Sequence, residues 1–154
     1  MKHVKVNSKT SERVRTPLIR FIKQYGDGHI TQKGIRWLKT TPFDELSYNG
    51  NLIHVYLDGK KIVGVLAIAN YGLEQALIAV HPDYRQSGIA YDLVTNALKE
   101  INRLYVKVAN DNIPSLKLCF SLGMHAFDLT KGPTGKPTLI LGLGNWNAEE
   151  WKNK

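Results

Sequence analysis

The sequence predicts a single α/β domain built on a mixed central β-sheet flanked by helices. The chain has 154 residues, which is enough for one domain with one hydrophobic core. Its hydrophobic fraction of 43% and charged fraction of 22% are typical of globular proteins. Segments with a two-residue hydrophobic period alternate with segments of helical period, which is the pattern of strands and helices that share a layered core.

The first quarter of the chain is predicted to be helical. Residues 11–25 carry apolar side chains at helical spacing. Gly26-Asp27-Gly28 is expected to end that helix, because glycine favours helix termini. Thr31 is expected to cap a second helix that runs to about Lys39. A short strand over residues 2–6 is expected before both helices.

The middle of the chain is predicted to form three strands. Residues 52–57, 62–69 and 73–80 are apolar or alternate between apolar and polar residues. Asp58-Gly59 is a typical hairpin turn between the first two strands. Asn70-Tyr71-Gly72 is expected to form the next turn.

The second half is predicted to contain two helices and three strands. The apolar residues of 90–101 fall on one helical face, which predicts an amphipathic helix. Residues 104–108 are expected to form a strand, and residues 113–122 a second helix that Gly123 ends. Residues 126–130 and 138–143 are expected to form the last two strands.

We expect the domain to span residues 1–146 and to be followed by a tail at residues 147–154. The tail is predicted to be a frayed helix or disordered, as chain termini often are. The last two strands are expected to flank a turn at Gly132-Pro133-Thr134-Gly135.

Composition argues against several classes of protein. The single cysteine, Cys119, cannot form an internal disulfide, and no cysteine and histidine spacing suggests zinc. No apolar run approaches the ~20 residues that a membrane-spanning helix needs. The amino terminus is basic but lacks the apolar region of a secretion signal. These features predict a cytoplasmic protein without a metal centre.

The positive charge is concentrated in the first 39 residues. This segment holds ten basic and two acidic residues, which account for the net charge of +8, because the other 115 residues have eleven of each sign. Two interpretations remain open. The segment either binds an anionic partner or is an ordinary solvated helix surface.

The strongest functional signal is the segment from Val80 to Ala90, which joins a strand directly to a helix. Such a junction leaves the first amide N–H groups of the helix unpaired, and the helix dipole adds positive charge there. A pyrophosphate binds well at such a site. Gly88 permits close approach of the backbone, and Arg85 can add a charge-assisted hydrogen bond.

This loop, Val-His-Pro-Asp-Tyr-Arg-Gln-Ser-Gly-Ile-Ala, closely resembles that of the GCN5-related N-acetyltransferase (GNAT) superfamily. The segment Asn112 to Met124 resembles the downstream helix of the same family. The resemblance covers roughly residues 50–145 and implies a GNAT-like fold. It also implies acetyl-CoA as the acetyl donor.

The resemblance implies a cofactor site of three parts. In the family, the strand before the loop splays from its neighbour and pairs with the pantetheine arm, and a loop then binds the pyrophosphate. Asn112 and Ser115 match positions that contact the cofactor, although Asn112 is equally suited to cap a helix. The implied cofactor-binding residues are Ile78, Ala79, Val80, Arg85, Gln86, Ser87, Gly88, Ile89, Ala90, Asn112 and Ser115.

The family's usual chemistry is direct attack of an amine on the thioester, with the oxyanion held by a backbone N–H, here that of Val80. Where the family often has a tyrosine that protonates the leaving thiolate, this sequence has Cys119. The thiol is either that acid or a small core residue. Activity is therefore expected to be weakened but not excluded.

The general base is not fixed by the sequence. Glu74 either faces the acceptor as a base or lies in solvent at a strand end. His81 is a base by residue type but lies in a Val-His-Pro turn where a structural role is more common. Lys107 stands where ribosomal-protein N-terminal acetyltransferases of this family have a glutamate base, which argues against a peptide N-terminus as acceptor.

The sequence favours a primary amine on a small, anionic molecule as acceptor, because the resemblance places the basic helices beside the acceptor. Two alternatives remain: a catalytically weak acetyl-CoA sensor or interaction module, and an acetyltransferase that acts on aminoacyl-tRNA. RNA is not favoured, because no interleaving of aromatic and basic residues marks an RNA platform. A homodimer is allowed, since family members often dimerise and Leu139–Trp146 offers an edge.

Overall fold

The computed structural model describes residues 1–26, 30–132 and 135–154. The expected turn residues Asp27 and Gly28, and Pro133 and Thr134, lie outside these described residues. The elements follow the predicted order, with bounds that differ by a few residues at most. The strands are β1 Lys2–Lys5, β2 Leu52–Asp58, β3 Lys61–Ala69, β4 Gln75–Val80, β5 Arg103–Ala109, β6 His125–Lys131 and β7 Pro137–Gly144. The helices are α1 Arg15–Tyr25, α2 Gln32–Thr40, α3 Ile89–Ile101, α4 Ile113–Ser121 and α5 Ala148–Lys152.

The strands form two sheets, not one continuous sheet. One has the order β1-β2-β3-β4 and the other the order β5-β7-β6. All the hydrogen-bonded pairs between described strands are antiparallel. The helix α3 connects β4 to β5, a crossover that makes neighbouring strands parallel. These two strands contact each other but do not share a ladder, so the two sheets separate between them.

Helices cover both faces of the four-stranded sheet. On one face, α1 and α2 contribute Leu18, Ile22 and Leu38 to a core that includes Val65 and Ala67. On the other face, α3 packs through residues such as Leu93 and Ala97, which share a core with β5 and β7. The predicted α/β class with flanking helices is confirmed. No helix among the described residues is both long enough and apolar enough to span a membrane.

The carboxyl-terminal segment forms a helix, which was one of the two expected forms, but this helix is docked on the domain and not frayed. Residues 148–152 form α5, and Asn147 caps it by accepting a hydrogen bond from the amide of Glu149 at 2.8 Å. Trp151 is only 7% exposed and packs with Tyr105 and Ile140 in a third core cluster. A single buried tryptophan in a polar segment is a weak sequence signal, which is why the docking of this helix was missed.

The strand β7 also corrects an expectation. It lies between β5 and β6, so the residues of Leu139–Trp146 that belong to it do not form a sheet edge. The edges of this sheet are β5, which faces β4, and β6, whose residues are almost all exposed. The chain folds back after β6, so the last strand lies at the centre of this sheet.

Candidate active site

A cleft of about 1070 Å³ opens where β4 and β5 separate. One wall includes Ala76 and Ile78 of β4, and the opposite wall includes Val106 and Val108 of β5. Its remaining lining includes residues of α4, the turn before β4, the start of α2, and α5 with the two residues that follow it, together with single residues of α3 and β7 and two of β3. The cleft is therefore a direct consequence of the split between the sheets.

Backbone groups of both strands point into this opening. The amide of His81 donates to the carbonyl of Val63 at 2.9 Å, so these two residues form a hydrogen-bonded pair of the β3–β4 ladder. Hydrogen-bonded pairs alternate with pairs whose N–H and C=O groups point away from the partner strand. The N–H groups of Val80 and Ile78 therefore face the side of β4 that lies towards β5.

The same argument applies to β5. The amide of Asn110 donates to the carbonyl of Pro137 at 2.9 Å, which fixes the alternation along the β5–β7 ladder. The main-chain groups of Tyr105, Lys107 and Ala109 consequently point away from β7 and towards β4. An extended ligand arm can form strand-like hydrogen bonds in this gap.

The loop between β4 and α3 has the geometry of an anion site. Gln86 and Gly88 have φ values of +63° and +86°, and a Cβ on Gly88 would meet no atom within 4 Å. The amide N–H groups from Gln86 to Tyr91 have no hydrogen-bond acceptor among residues 1–26, 30–132 and 135–154. This run of unpaired donors stands at the start of a 13-residue helix, where negative charge is stabilised.

Side-chain contacts hold the loop in place. The hydroxyl of Tyr84 donates to Asp58 at 2.6 Å, which ties the loop to the end of β2. The Nε of Arg85 donates to the carbonyl of Val80 at 3.3 Å, and the Ser87 hydroxyl donates to the carbonyl of Tyr84. These side-chain contacts fix the shape of the loop and leave its main-chain amides free to bind a ligand.

Two of the predicted cofactor residues are buried in the core. Ala79 is on the face of β4 that packs under α1, and Ile89 packs into the α3 core against the position of Gly64. By the same alternation, the main-chain groups of Ala79 point towards Val65 of β3 and away from the cleft, so of these two residues only Ile89 has a main-chain N–H open to a cofactor. Ile78 differs from them because its side chain lines the cleft.

His81 has a structural environment. Its Nδ1 accepts a hydrogen bond from the amide of Asp83 at 3.1 Å. Its ring packs between Tyr25 and Tyr84, with ring centroids 4.8 and 5.6 Å away. The ring does not line the cleft, which favours the structural interpretation over a general base.

Asn112 and Ser115 lie where α4 begins and both line the cleft. The Oδ1 of Asn112 accepts a hydrogen bond from the amide of Ser115 at 3.4 Å, so the asparagine caps the helix. The cap and the cleft position occur together, and the two interpretations of Asn112 are compatible.

Cys119 is one turn further along α4 and also lines the cleft. Its side chain is 6% exposed and packs with Val108 and Met124 in the core. Burial raises the pKa of the Cys119 thiol to about 11. The thiol is therefore protonated at neutral pH, in the state from which it can donate a proton.

Glu74 is exposed and lines the cleft, in the turn that leads into the amino-terminal end of β4. In this turn Asn70 and Tyr71 have φ values of +51° and +61°, which are unusual for residues other than glycine. Gly72 follows with its backbone against the carbonyl of Tyr105, where no side chain fits. The left-handed backbone here brings the turn against β5 and closes this end of the cleft.

The sequence did not identify the contribution of α5. Glu150, Asn153 and Lys154 also line the cleft. The guanidinium of Arg103 donates twice to Glu150, at 2.8 and 2.9 Å, and holds the pKa of that carboxyl below its ordinary value. The Tyr105 hydroxyl donates to Glu150 at 2.7 Å. The signal was hidden because the partners lie 45 and 47 residues apart in the chain.

Comparisons with known proteins agree with this geometry. A family model described as an acetyltransferase (GNAT) domain matches residues 49–120. That range contains the split strands, the loop before α3 and most of α4. No curated protein sequence gives a significant match.

Solved structures share the fold at low sequence identity. The ribosomal-protein-S18-alanine N-acetyltransferase from Escherichia coli is similar with a TM-score of 0.67 and 16% identity, over 93% of this chain and 94% of that chain. A protein from Salmonella typhimurium solved with its cofactor acetyl-CoA gives a TM-score of 0.63 and 11% identity, over 93% and 92% of the two chains. A chimera of the Vibrio cholerae spermidine N-acetyltransferase gives 0.65 and 13%, over 99% and 100%. At these identities the similarity concerns the fold alone.

Proposed function

This chain carries a GNAT acetyltransferase domain, and we propose that it transfers an acetyl group from acetyl-CoA to a primary amine of a small anionic molecule. The observation that carries the proposal is the run of unpaired amides from Gln86 to Tyr91. In this proposal they bind the pyrophosphate of acetyl-CoA, with Arg85 at the edge of the loop.

The pantetheine arm then enters the gap between the strands. The outward N–H and C=O groups of Ile78 pair with its amides, and Asn112 and Ser115 flank it from α4, which leaves the N–H of Val80 for the thioester. The cleft also has the apolar side chains Val106 and Val108 opposite β4, which suits the alkyl parts of the arm.

The transfer is a direct displacement at the thioester carbon. Glu74, through a water molecule, removes a proton from the acceptor's ammonium group, and the free amine attacks the carbonyl. The N–H of Val80 stabilises the oxyanion that forms. The C–S bond breaks and Cys119 donates its proton to the leaving sulfur. The nitrogen then returns its surplus proton to the Cys119 thiolate through water and Glu74 releases its proton to solvent, so the products are the acetamide and CoA.

The charges at the far end of the cleft support an anionic acceptor. Lys33, Lys107 and Lys154 line the cleft, and the ammonium groups of Lys107 and Lys154 lie 5.5 and 3.5 Å from the ring of Trp151. Burial and the neighbouring Lys107 lower the pKa of Lys154. A carboxylate or phosphate on the acceptor would relieve this repulsion. Glu150 does not cancel these charges, because Arg103 pairs with it.

The test is a calorimetric titration of the wild-type protein and Gly88→Glu with acetyl-CoA. The substitution puts a side chain and a negative charge where the pyrophosphate is expected, so binding should weaken at least 100-fold. Gly123→Glu is the matched control, since Gly123 also has a left-handed backbone, with φ of +85°, and open space around it. The control should bind acetyl-CoA within about threefold of the wild type.

The saturated complex would then be screened against amines with and without a carboxylate or phosphate, with release of CoA as the signal. Faster turnover of the anionic amines, and its loss in Lys107→Gln, would support the acceptor class. Failure of the wild type to bind acetyl-CoA or CoA would overturn the proposal. Equal loss of binding in Gly88→Glu and Gly123→Glu would mean that the loop around Gly88 is not the pyrophosphate site.

A further inference from the structure

A second concave surface lies outside the cleft, along α1 beside the end of α2. It has a volume of about 680 Å³ and is open to solvent, and its lining includes Arg15, Arg20 and Lys23 of α1 and Lys39 of α2. We refer to it as the basic depression. The two helices hold much of the positive charge of the chain, but only Lys33 of their cationic residues lines the cleft.

One of these cations is structural and three are not. The Arg15 guanidinium binds Glu12 at 2.8 Å and donates to the carbonyls of Leu38 and Thr41, at 2.8 Å each. Arg20, Lys23 and Lys39 are exposed and form no ion pair with an acid anywhere in the described part of the chain. Like charges that converge without counterions repel each other, and an anionic ligand would relieve this repulsion.

The surface lacks what a protein or a membrane would need. A stable protein interface has a centre of exposed apolar or aromatic side chains, and a helix that lies on a membrane exposes an apolar face. Neither α1 nor α2 exposes a large apolar residue. The exposed large apolar residues of the described chain are Met1, Tyr48, Tyr91, Ile113, Phe120 and Leu129. Binding here must therefore be mainly electrostatic, as it is with a nucleic-acid backbone.

The open shape of the depression indicates which kind of anionic ligand it can bind. It is too open to enclose a small ligand, so a ligand must gain affinity from several separate charge contacts. A flexible single strand can adjust its backbone so that successive phosphates each contact a separate cation, whereas a stiff duplex presents its phosphates at fixed positions. The hydroxyl of Thr16 and the amide of Gln24, which also line it, offer hydrogen bonds to a ribose 2′-hydroxyl. We propose that the basic depression binds the phosphodiester backbone of single-stranded RNA.

The proposal sets the expected strength of binding. Contacts from Arg20, Lys23 and Lys39 with three phosphates give a slope of log K against log[salt] of about −2, from about −0.7 per phosphate contact. Raising NaCl from 50 to 200 mM then lowers affinity about 16-fold. Without stacking aromatic residues in the depression, binding is independent of base sequence and has a Kd of about 10⁻⁴ to 10⁻⁶ M. This activity goes beyond the proposed acetyl transfer and does not depend on it.

The experiment measures the anisotropy of a fluorescein-labelled 20-nucleotide oligo(U) RNA as protein is added. The test variant is R20Q/K23Q/K39Q, which keeps Arg15 and its structural contacts. The matched control is K60Q/K99Q/K131Q, which removes the same charge from exposed lysines elsewhere. We expect the wild type to bind with the stated salt slope, the test variant to lose at least tenfold in affinity and the control to stay within about threefold.

Equal weakening of the test and control variants would overturn the proposal, because binding would then depend on net charge alone. Tighter binding to duplex DNA of the same length, or equal binding to poly-glutamate, would also overturn it. Circular dichroism and acetyl-CoA titration of each variant show whether it is folded. These two measurements report on the fold and the cleft, so a failure of acetyl transfer and a failure of RNA binding are distinguishable.

Discussion

Cys119 occupies the position where the GNAT resemblance implies a tyrosine acid. A thiol with a pKa of about 11 is close to tyrosine, whose ordinary pKa is about 10, in its tendency to hold a proton. Burial in the apolar core produces this value, because it disfavours the charged thiolate. The same burial that makes Cys119 a core residue thus also gives it the protonation state of an acid.

We predict that Cys119→Ala lowers kcat about 100-fold, the low end for loss of a general acid, because a thiolate leaves readily without full protonation. The Kd for acetyl-CoA should change less than threefold. Steady-state kinetics and calorimetry on the same preparation provide both values. An unchanged kcat would assign the thiol to packing alone.

His54 is a buried base that the proposed reaction does not use. It is 1% exposed, its Nδ1 lies 3.1 Å from Nε2 of His3, and its Nε2 lies 3.4 Å from Glu100. Burial is the largest cause that lowers the pKa of His54 to about 4, although Glu100 opposes the shift. Folding therefore favours the neutral imidazole.

This shift predicts a pH dependence of stability. The unfolded chain binds a proton near pH 6.5 and the folded chain only near pH 4, so the free energy of unfolding falls as pH drops through this window. By pH 5 the loss from this group is about 2 kcal/mol. Urea unfolding at pH 7 and pH 5 should show this loss in the wild type and in the exposed control His125→Gln. His54→Gln should show a much smaller one, and an equal loss there would refute the assignment.

At the scale of elements, α5 is more important than its five residues suggest. Trp151 anchors it to the core, while Glu150 fixes it to β5 through Arg103 and Tyr105. The helix thereby closes the end of the cleft where the acceptor is proposed to bind. Its sequence is polar and short, so its position depends on contacts with β5 and β7 and not on helix propensity.

We predict that Trp151→Ala lowers the free energy of unfolding by about 3–5 kcal/mol, as expected for loss of a buried aromatic side chain. The exposed neighbour Lys152→Ala is the control and should lose less than about 0.5 kcal/mol. Denaturant unfolding followed by fluorescence and circular dichroism measures both. A loss below 1 kcal/mol for Trp151→Ala would mean that α5 is not part of the cooperative fold.

At the scale of the whole molecule, the separation of two sheets is the feature that creates the site. A continuous sheet would pair the amides of β4 with β5, whereas here those of Ile78 and Val80 remain open. The protein therefore leaves main-chain hydrogen bonds unformed, which a ligand in the gap can supply. The stability of the fold and the occupancy of the cleft should be coupled.

Acetyl-CoA at 100 times its Kd should stabilise the protein by about 2.7 kcal/mol and raise Tm by about 5–10 °C. Hydrogen exchange should slow at the amides of Ile78 and Val80 and in the loop from Gln86 to Tyr91. Differential scanning fluorimetry and hydrogen-exchange mass spectrometry measure these effects, with Gly88→Glu as the variant that should show neither. Protection confined to other segments would contradict the placement of the cofactor.

Local pattern was sufficient for the order of the helices and strands, because period and turn residues act over a few positions. It also identified the loop around Gly88, because the residues that give this loop its left-handed backbone and its unpaired amides are adjacent in the sequence. Glu74, Asn112 and Cys119 were predicted singly, and the fold brings them to one cleft.

Only the tertiary structure decided what depends on contacts between distant residues. The split between β4 and β5, the central position of β7 and the docking of α5 all arise from pairing across tens of residues. The same holds for charge: the sequence located the excess in residues 1–39, but the packing of α1 and α2 places Lys33 at the cleft and Arg20, Lys23 and Lys39 elsewhere. A sequence pattern specifies which face of a helix or strand is apolar. The fold determines whether the charged residues on its polar face line the cleft or lie on another surface.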